Sequence, residues 1–170
     1  MKLPELINIL VITLSDRASR GEYEDESGPC IAEMAGEFFN SMNTACSITR
    51  ELIPDDAEIL KQLVVGSTGK YHIIFTTGGT GIGPRDITAE TIKPLLTKEI
   101  PGVMEYIRVK YGSEKPNALL SGSVAGLIGN TLIYTLPGSV RAVKEYMSEI
   151  LKTLRHTFEM LYGIDEHTKT

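Results

Sequence analysis

The chain has 170 residues, of which 42% are hydrophobic and 23% charged, and its formal net charge is -5. This length fits one domain that buries about 70% of its unfolded surface without a disulfide or a metal staple. The negative net charge and the lack of a basic stripe argue against nucleic-acid binding. The two cysteines, Cys30 and Cys46, do not have the C-x-x-C spacing of a metal or redox site, and they predict reduced thiols in a cytoplasmic protein.

The first predicted element is a buried strand over Leu6 to Leu14, a nearly continuous apolar run rich in β-branched residues. One lysine precedes the run, the run is short for a membrane span and no small-residue cleavage site follows, so we expect neither a signal peptide nor a membrane anchor. The polar segment 18–27 has no periodicity and predicts a mobile loop. A helix is predicted over 28–43, with Pro29 in its first turn.

Two further strands follow, separated by a helix. The first of them is predicted over 45–53, and Asp55 or Asp56 can cap the next helix, whose apolar residues recur every three or four positions. The other strand is predicted over 71–76. This alternation of strands and helices predicts a parallel sheet covered on both faces.

The second half of the chain predicts shorter helices, a hairpin and a long terminal helix. The predicted elements are helices over 88–97 and 102–111, strands over 123–127 and 131–136, and a helix over 140–161. The two strands meet at Gly129-Asn130, a link typical of an antiparallel hairpin. We therefore predict a three-layer α/β fold with a doubly wound, mostly parallel sheet, helices on both faces and a short antiparallel hairpin. The fold is predicted to form a single domain over 1–163, followed by a frayed tail over 164–170.

A glycine-rich loop follows the third strand. Four glycines fall within six residues, Gly78, Gly79, Gly81 and Gly83, so the backbone N–H groups are not shielded by side chains and can approach an anion. Thr88 is a candidate N-cap of the next helix, whose N-terminus would also favour an anion. The spacings of the P-loop and of the dinucleotide-binding loop are both absent. The loop and the helix together predict a phosphate-binding site.

Polar residues recur at the carboxyl ends of the predicted strands, the edge at which open α/β sheets bind ligands. These residues are Ser15-Asp16, Asp55-Asp56, the glycine loop with Asp86, and Pro137-Gly138-Ser139. Carboxylates repel a phosphate unless a divalent cation lies between them, and oxygen ligands favour Mg²⁺ over zinc. Asp55 and Asp86 are therefore predicted to bind Mg²⁺ or to position the attacking oxygen.

The residues alone leave structural roles open for the same side chains. Asp55 and Asp86 can each cap the helix that follows, and Asp16 can form an ion pair with Arg17 at the end of the first strand. Ser121 can be an ordinary loop hydroxyl.

Several segments resemble one family. The loop from Thr77 to Thr88 is similar to that of the molybdopterin adenylyltransferases, which include the bacterial MogA type and the G domains of cofactor-synthesis proteins such as gephyrin. Further segments that resemble this MoaB/MogA superfamily, in the same order, are 15–19, 52–55, 99–102, 120–121 with 125–126, and 130–133 with 136–139.

The resemblance implies adenylylation of molybdopterin, whose terminal phosphate attacks the α-phosphate of ATP and releases pyrophosphate with Mg²⁺ as cofactor. It implies that Asp55, Asp86 and Ser121 are catalytic and that the two aspartates are metal ligands. The residues that it implies bind substrate are Ser15, Asp16, Thr77, Gly78, Gly79, Thr80, Gly81, Pro137, Gly138 and Ser139. It also implies a homotrimer and hand-over of the product to a molybdate-insertion protein.

The sequence departs from the family pattern at two places, and two other functions are alternatives. Ala89 stands where the family often has proline, and Ser139-Val140 stands where many members have Asn-Pro, which leaves one nucleotide or pterin contact undefined. The alternative function is a non-catalytic, MoaB-like pterin-binding or scaffold protein, although the presence of both aspartates argues against it. A hydrolase of the competence-damage type shares the Thr-Thr-Gly-Gly loop but lacks the continuation 84–88.

Overall fold

The computed structural model of the protein describes residues 3–164. Its strands are β1 (Leu6–Leu14), β2 (Ala45–Ile53), β3 (Ile73–Thr77), β4 (Lys98–Glu99), β5 (Ala125–Ile128) and β6 (Thr131–Leu136). Its α-helices are α1 (Asp16–Ser19), α2 (Ser27–Ser41), α3 (Ala57–Ser67), α4 (Thr88–Ile92), α5 (Pro101–Gly112) and α6 (Val140–Leu161). Two 3₁₀ segments cover Lys93–Leu95 and Pro116–Leu120.

The six strands form one sheet in the order β2-β1-β3-β6-β5-β4. The first four strands of that order are parallel, while β5 runs antiparallel to β6 and β4 antiparallel to β5. The predicted α/β fold, with its mostly parallel sheet and its antiparallel hairpin, is confirmed. The edge strand β4 was not predicted, because two residues are too few to show a period.

Both faces of the sheet are covered, which explains the continuous apolar run of β1. Ile7, Ile9 and Val11 face the core formed with α2, α5 and α6. Leu10 and Ile12, like Leu14, face the second core, formed with α3 and α4. Successive side chains of a strand point to opposite faces, so a strand between two helical layers needs apolar residues at every position.

The segment before α2 is more ordered than the sequence predicts. The irregular loop predicted over 18–27 was wrong in part, because α1 ends only at Ser19 and α2 begins at Ser27. Between these helices, Asp25 accepts hydrogen bonds from the Thr13 hydroxyl at 2.7 Å and from the Gly28 N–H at 3.0 Å. These two bonds attach the segment to the end of β1 and to the first turn of α2.

The helix predicted over 88–97 is shorter than expected. α4 ends at Ile92 and continues as the 3₁₀ segment Lys93–Leu95, which contains Pro94. Proline has no N–H to donate to the helix ladder, which accounts for the early end of the α-helix. The chain then enters β4 at Lys98.

The C-terminal end of the described chain lies just beyond α6. Ile164, the first residue of the predicted frayed tail, donates its N–H to the Glu159 carbonyl at 2.8 Å. The rest of that tail, 165–170, lies outside the described residues, and the single-domain boundary at 163 stays a prediction. Within 3–164, no helix is long and apolar enough to cross a membrane.

A buried carboxylate joins two helices on one face of the sheet. Glu149 of α6 accepts hydrogen bonds from Lys110 of α5 at 2.5 Å and from Lys152 at 2.8 Å. These hydrogen bonds, led by that of Lys110, lower the pKa of Glu149. A carboxylate whose pKa is lower in the folded state stabilises the fold above its unfolded pKa, and this stabilisation is lost as the pH falls through the folded pKa.

We therefore expect Glu149→Gln to lower the melting temperature at pH 7 by about 2–4 °C, because the lysines are partly exposed and the pairs are screened. The difference from the wild type should begin to shrink below about pH 4, near the unfolded pKa of glutamate, and should vanish only below the lowered folded pKa, where both proteins carry a neutral side chain at this position. Thermal unfolding followed by circular dichroism at both pH values measures the effect. The exposed Glu37→Gln is the control, and an equal loss in both variants, or a loss independent of pH, would contradict this role.

Candidate active site

The glycine loop after β3 is hydrogen bonded to the ends of neighbouring strands. The Gly78 N–H donates to the Leu136 carbonyl at 3.0 Å, and the Thr77 hydroxyl donates to the Pro137 carbonyl at 2.8 Å. On the other side, the Gly122 N–H donates to the Thr80 carbonyl at 2.7 Å. The loop is thus held between the end of β6 and the segment before β5, at the edge where parallel α/β sheets bind ligands.

The tip of the loop keeps backbone donors available. Within residues 3–164, the N–H groups of Gly79, Thr80 and Gly81 form no hydrogen bond. Successive N–H groups without side chains over them form a concave site for an anion. Gly78 differs, because its own N–H is used by Leu136 and its φ of 99° makes the turn out of β3.

The prediction that Thr88 is the N-cap of α4 was wrong. The N-cap is Ile87, which makes no side-chain capping bond, and Thr88 is the first residue of the helix. The Thr88 hydroxyl instead donates to the Gly78 carbonyl at 2.7 Å and is fully buried. A Cβ atom on Gly79 would lie 2.5 Å from that hydroxyl oxygen, so glycine at position 79 leaves room for this bond.

Two aspartates at the ends of β1 and β2 hold each other in place. The Asp16 N–H donates to Asp55 Oδ2 at 3.1 Å, and the Asp55 N–H donates to Asp16 Oδ1 at 3.0 Å. The second oxygen of Asp16 pairs with Arg85, which lies in the glycine-rich loop. Asp16 therefore links Asp55, two residues after the end of β2, to the loop that carries Asp86.

The structure brings Asp55 and Asp86 together. Burial raises the pKa of Asp55, and the negative charge of Asp86 raises it further. Asp86 is oriented by its own loop, because its Oδ2 accepts the Gly83 N–H at 2.9 Å. Two carboxylates that repel each other beside unpaired N–H groups form a site that a cation and an anion can share.

The structure also decides the roles that the residues alone left open. Asp56, not Asp55, caps α3, and it accepts hydrogen bonds from the N–H groups of Glu58 and Ile59, each at 2.9 Å. Asp86 accepts a hydrogen bond from Gly83 and makes no capping bond to α4. Neither Asp55 nor Asp86 is needed as a helix cap, so both carboxylates are available for a ligand.

The predicted site residues divide between two cavities. The larger, of about 670 Å³, is bordered by Asp86, Ser121, the loop Gly78-Gly79-Thr80-Gly81 and Pro137-Gly138-Ser139. The smaller, of about 360 Å³, is bordered by Ser15, Asp16 and Asp55. Thr77 borders neither cavity, since its side chain is fully buried under the loop.

The three predicted serines are fixed by local hydrogen bonds. Ser15 caps α1 by accepting the Ala18 N–H at 3.1 Å, and Ser139 caps α6 by accepting the Ala142 N–H at 3.3 Å. The hydroxyl of Ser121 lies 2.9 Å from that of Ser123. All three hydroxyls are thus positioned by the chain at the borders of the cavities.

Sequence reasoning missed two residues that border these cavities, Arg85 and Tyr146, and one, Asp25, that holds the segment before α2. Arg85 pairs with Asp16, which no spacing along the chain indicates. Asp25 had a local signal, because an aspartate shortly before Ser27-Gly28 is typical of a side chain that accepts a backbone N–H. Tyr146 borders the larger cavity, is 3% exposed, and its buried hydroxyl makes no hydrogen bond to the described residues.

A magnesium ion would find two protein carboxylates here, not a complete cage. The described residues contain no cluster of three or more His, Cys, Asp or Glu side chains that could hold a metal. Mg²⁺ is commonly bound by one or two carboxylates together with substrate phosphates. The residues present fit this substrate-completed kind of site, in which Asp55 and Asp86 are the two carboxylates that could hold the ion.

The comparisons with known proteins agree on one family. The family described as "probable molybdopterin binding domain" matches residues 10–156. The chain is 39% identical to gephyrin from Dictyostelium discoideum over 158 residues, which cover 89% of this chain and 22% of gephyrin. It is 37% identical to the molybdopterin adenylyltransferase of Pyrococcus furiosus over 166 residues, which cover 92% of this chain and 94% of that protein.

A solved structure gives the same result for the fold. The molybdopterin biosynthesis enzyme MoaB from Thermus thermophilus superposes with a TM-score of 0.81 and 32% identity, covering 92% of this chain and 97% of that one. The chain therefore spans about a fifth of gephyrin but almost the whole length of the Pyrococcus and Thermus proteins.

Proposed function

The chain belongs to the molybdopterin-binding domain family of molybdenum cofactor biosynthesis, and on this premise we propose that it transfers AMP from ATP to the terminal phosphate of molybdopterin. Relatives named molybdopterin adenylyltransferase align with 92–94% of this chain, which supports a transferase. The location expected for this enzyme is the cytoplasm, where its substrates would be made.

One observation carries the proposal. Asp55 and Asp86 lie in separate segments of the chain, yet the charge of one raises the pKa of the other. Their carboxylates border the two cavities beside a loop whose tip has unpaired N–H groups. Repulsion between two partly buried carboxylates costs stability, and a nucleotide with its cation would relieve that repulsion.

The reaction is a displacement at the α-phosphorus of ATP. An oxygen of the terminal phosphate of molybdopterin forms a bond to this phosphorus, and the bond from the phosphorus to the oxygen that bridges to the β-phosphate breaks. The electron pair of the broken bond stays on pyrophosphate, the leaving group. The N–H groups of Gly79, Thr80 and Gly81 would bind phosphate oxygens, and Ser121 and Ser139 would orient the substrates in the larger cavity.

Asp55 and Asp86 would hold Mg²⁺, which would neutralise part of the negative charge on the phosphates. The contribution of the protein is then mainly alignment. The loop is fixed by hydrogen bonds to Leu136 and Pro137, and the aspartates are fixed by Asp16 and Gly83. Such preorganised groups need little rearrangement as charge develops in the transition state.

The activity is tested with the purified protein, molybdopterin, ATP and Mg²⁺. We expect adenylylated molybdopterin and pyrophosphate in equal amounts, and no product when Mg²⁺ is replaced by a chelator. Chromatography of the pterin and an enzymatic assay of pyrophosphate measure the two products.

No product from folded protein would contradict the proposal. If such a protein still bound molybdopterin in a titration without ATP, the non-catalytic, MoaB-like alternative would replace the transferase. The homotrimer and the hand-over to a molybdate-insertion protein that the resemblance implies stay predictions, and sedimentation measures the first of them.

A further inference from the structure

The smaller cavity beside Asp55 is rich in arginine. Its lining consists of Ser15, Asp16, Arg17, Arg20, Asp55 and Arg85. The three guanidinium groups come from α1, from the residue after it and from the glycine-rich loop, so they converge on one volume of about 360 Å³ only in the folded chain. This concentration of cations is the starting point of an inference that rests on the proposed transferase function.

The three arginines keep donors available for a ligand. Arg20 bonds Glu22 at 2.8 Å, Arg17 lies 3.7 Å from the same carboxylate, and Arg85 pairs with Asp16. The arginine side chains are 60–71% exposed, and the pairs of Arg17 and Arg20 with the half-exposed Glu22 are weak, whereas the partner of Arg85, Asp16, is only 17% exposed. A guanidinium group has five N–H donors, so one carboxylate partner does not saturate it.

The charges that line the larger cavity are balanced. Lys115 and Arg141 both pair with Glu145, at 2.6 Å and 3.3 Å, and Asp86 is a second carboxylate of this lining. The smaller cavity is lined by three arginines and by two carboxylates, Asp16 and Asp55, so it has one more cationic than anionic side chain. The smaller cavity is thus the better site for a ligand with several negative charges.

The two cavities share no lining residue, and the acid pair contributes one carboxylate to each. Asp86 borders the larger cavity, while Asp55 borders the smaller. In a phosphoryl or nucleotidyl transfer the attacking oxygen and the leaving oxygen lie roughly in line on opposite sides of the phosphorus. If the pterin phosphate occupies the larger cavity, the smaller cavity offers a second volume beside the acid pair for the leaving group.

We propose that Arg17, Arg20 and Arg85 form the binding site for the β- and γ-phosphates of the nucleotide and for the pyrophosphate that leaves. Arginine binds phosphate oxygens through two parallel N–H donors, a geometry that lysine does not offer. As the bond to the bridging oxygen breaks, its electron pair and charge move onto pyrophosphate, and three guanidinium groups stabilise that charge. Arg85 is adjacent in sequence to Asp86, which couples occupancy of this site to the position of the acid pair.

The site is tested by titrating the protein with pyrophosphate in the presence of Mg²⁺ in a calorimeter. We expect Arg20→Gln and Arg85→Gln each to weaken binding at least about fivefold, the effect of losing one charged hydrogen bond, and the double variant to weaken it further. Arg50→Gln, an exposed arginine on β2 outside both cavities, is the matched control and should bind as the wild type does. Among residues 3–164, the Arg20 side chain forms an ion pair only with the half-exposed Glu22, so its variant keeps the test independent of a folding defect.

A second variant set decides between the two cavities. If Lys115→Gln or Arg141→Gln abolishes pyrophosphate binding while the variants of the smaller cavity bind normally, the proposal is overturned. In turnover, Arg85→Gln should raise the KM for ATP and leave the KM for molybdopterin unchanged, and the opposite pattern would also overturn it. If pyrophosphate binding depends on the arginines but the protein forms no adenylylated molybdopterin, the arginine site is supported and the proposed transferase function is contradicted. The failure of one hypothesis can therefore be told from the failure of the other.

Discussion

Asp86→Asn is expected to lower turnover at least about a hundredfold while leaving the fold intact. Asparagine has nearly the same shape, and its carbonyl oxygen can still accept the Gly83 N–H, which Asp86 accepts at 2.9 Å. The substitution removes the negative charge, and with it one of the two protein ligands proposed for Mg²⁺. It also removes the repulsion that raises the pKa of Asp55.

The measurement is the rate of adenylylated molybdopterin formation at saturating ATP and Mg²⁺, with circular dichroism and thermal unfolding to confirm the fold. Asp55→Asn should show the same loss. Asp56→Asn is the matched control, because Asp56 is the neighbouring carboxylate but caps α3, and asparagine caps a helix about as well as aspartate. Equal activity of Asp55→Asn and Asp56→Asn would refute the role of the acid pair.

Gly78→Ala should lower the free energy of unfolding by about 2–4 kcal/mol, a larger loss than we expect for Glu149→Gln or Gly69→Ala. Gly78 is buried and has a φ of 99°, a backbone conformation that a residue with a Cβ atom rarely adopts. A Cβ atom there would collide with the carbonyl oxygen of Leu14, which is backbone and cannot move aside as a side chain can. The strain would fall on the junction of β1, β3 and β6, where the site is built.

Urea unfolding at pH 7 measures the effect. The variant Gly69→Ala separates its two causes, the strained backbone conformation and the collision with Leu14. Gly69 has a φ of 80° but nothing within 4 Å of a Cβ position, so its variant carries the backbone strain without the collision. We expect about 1 kcal/mol for Gly69→Ala. A loss at Gly78 no greater than the loss at Gly69 would show that the contact with Leu14 is not the cause.

Much of the fold follows from local patterns. The strands β1, β2 and β6 begin and end where the sequence predicts, because β1 and β6 are largely apolar runs and β2 ends just before Pro54-Asp55. The antiparallel hairpin follows from the tight link at Gly129-Asn130. These features depend on residues close together in the chain, and the sequence shows them directly.

The candidate site also combines features that the sequence predicts with features that it does not. That Asp55 and Asp86 lie near one glycine loop could be predicted, because the carboxyl ends of neighbouring parallel strands share one edge of the sheet. The roles of Asp16 and Thr88 could not be predicted. Asp16 pairs with Arg85 instead of the adjacent Arg17, and Thr88 bonds the Gly78 carbonyl instead of capping its helix.

The alternation of the main strands and helices, the glycine loop, and the positions of Asp55 after β2 and of Asp86 in that loop were determined by the sequence alone. Only the tertiary structure decided which arginines lie beside Asp16 and Asp55 and which backbone carbonyl receives the Thr88 hydroxyl. The physical reason is that periodicity and strand ends are properties of neighbouring residues. Ion pairs and side-chain hydrogen bonds, in contrast, depend on distances between segments, which exist only after β1, β2 and β3 have aligned in one sheet.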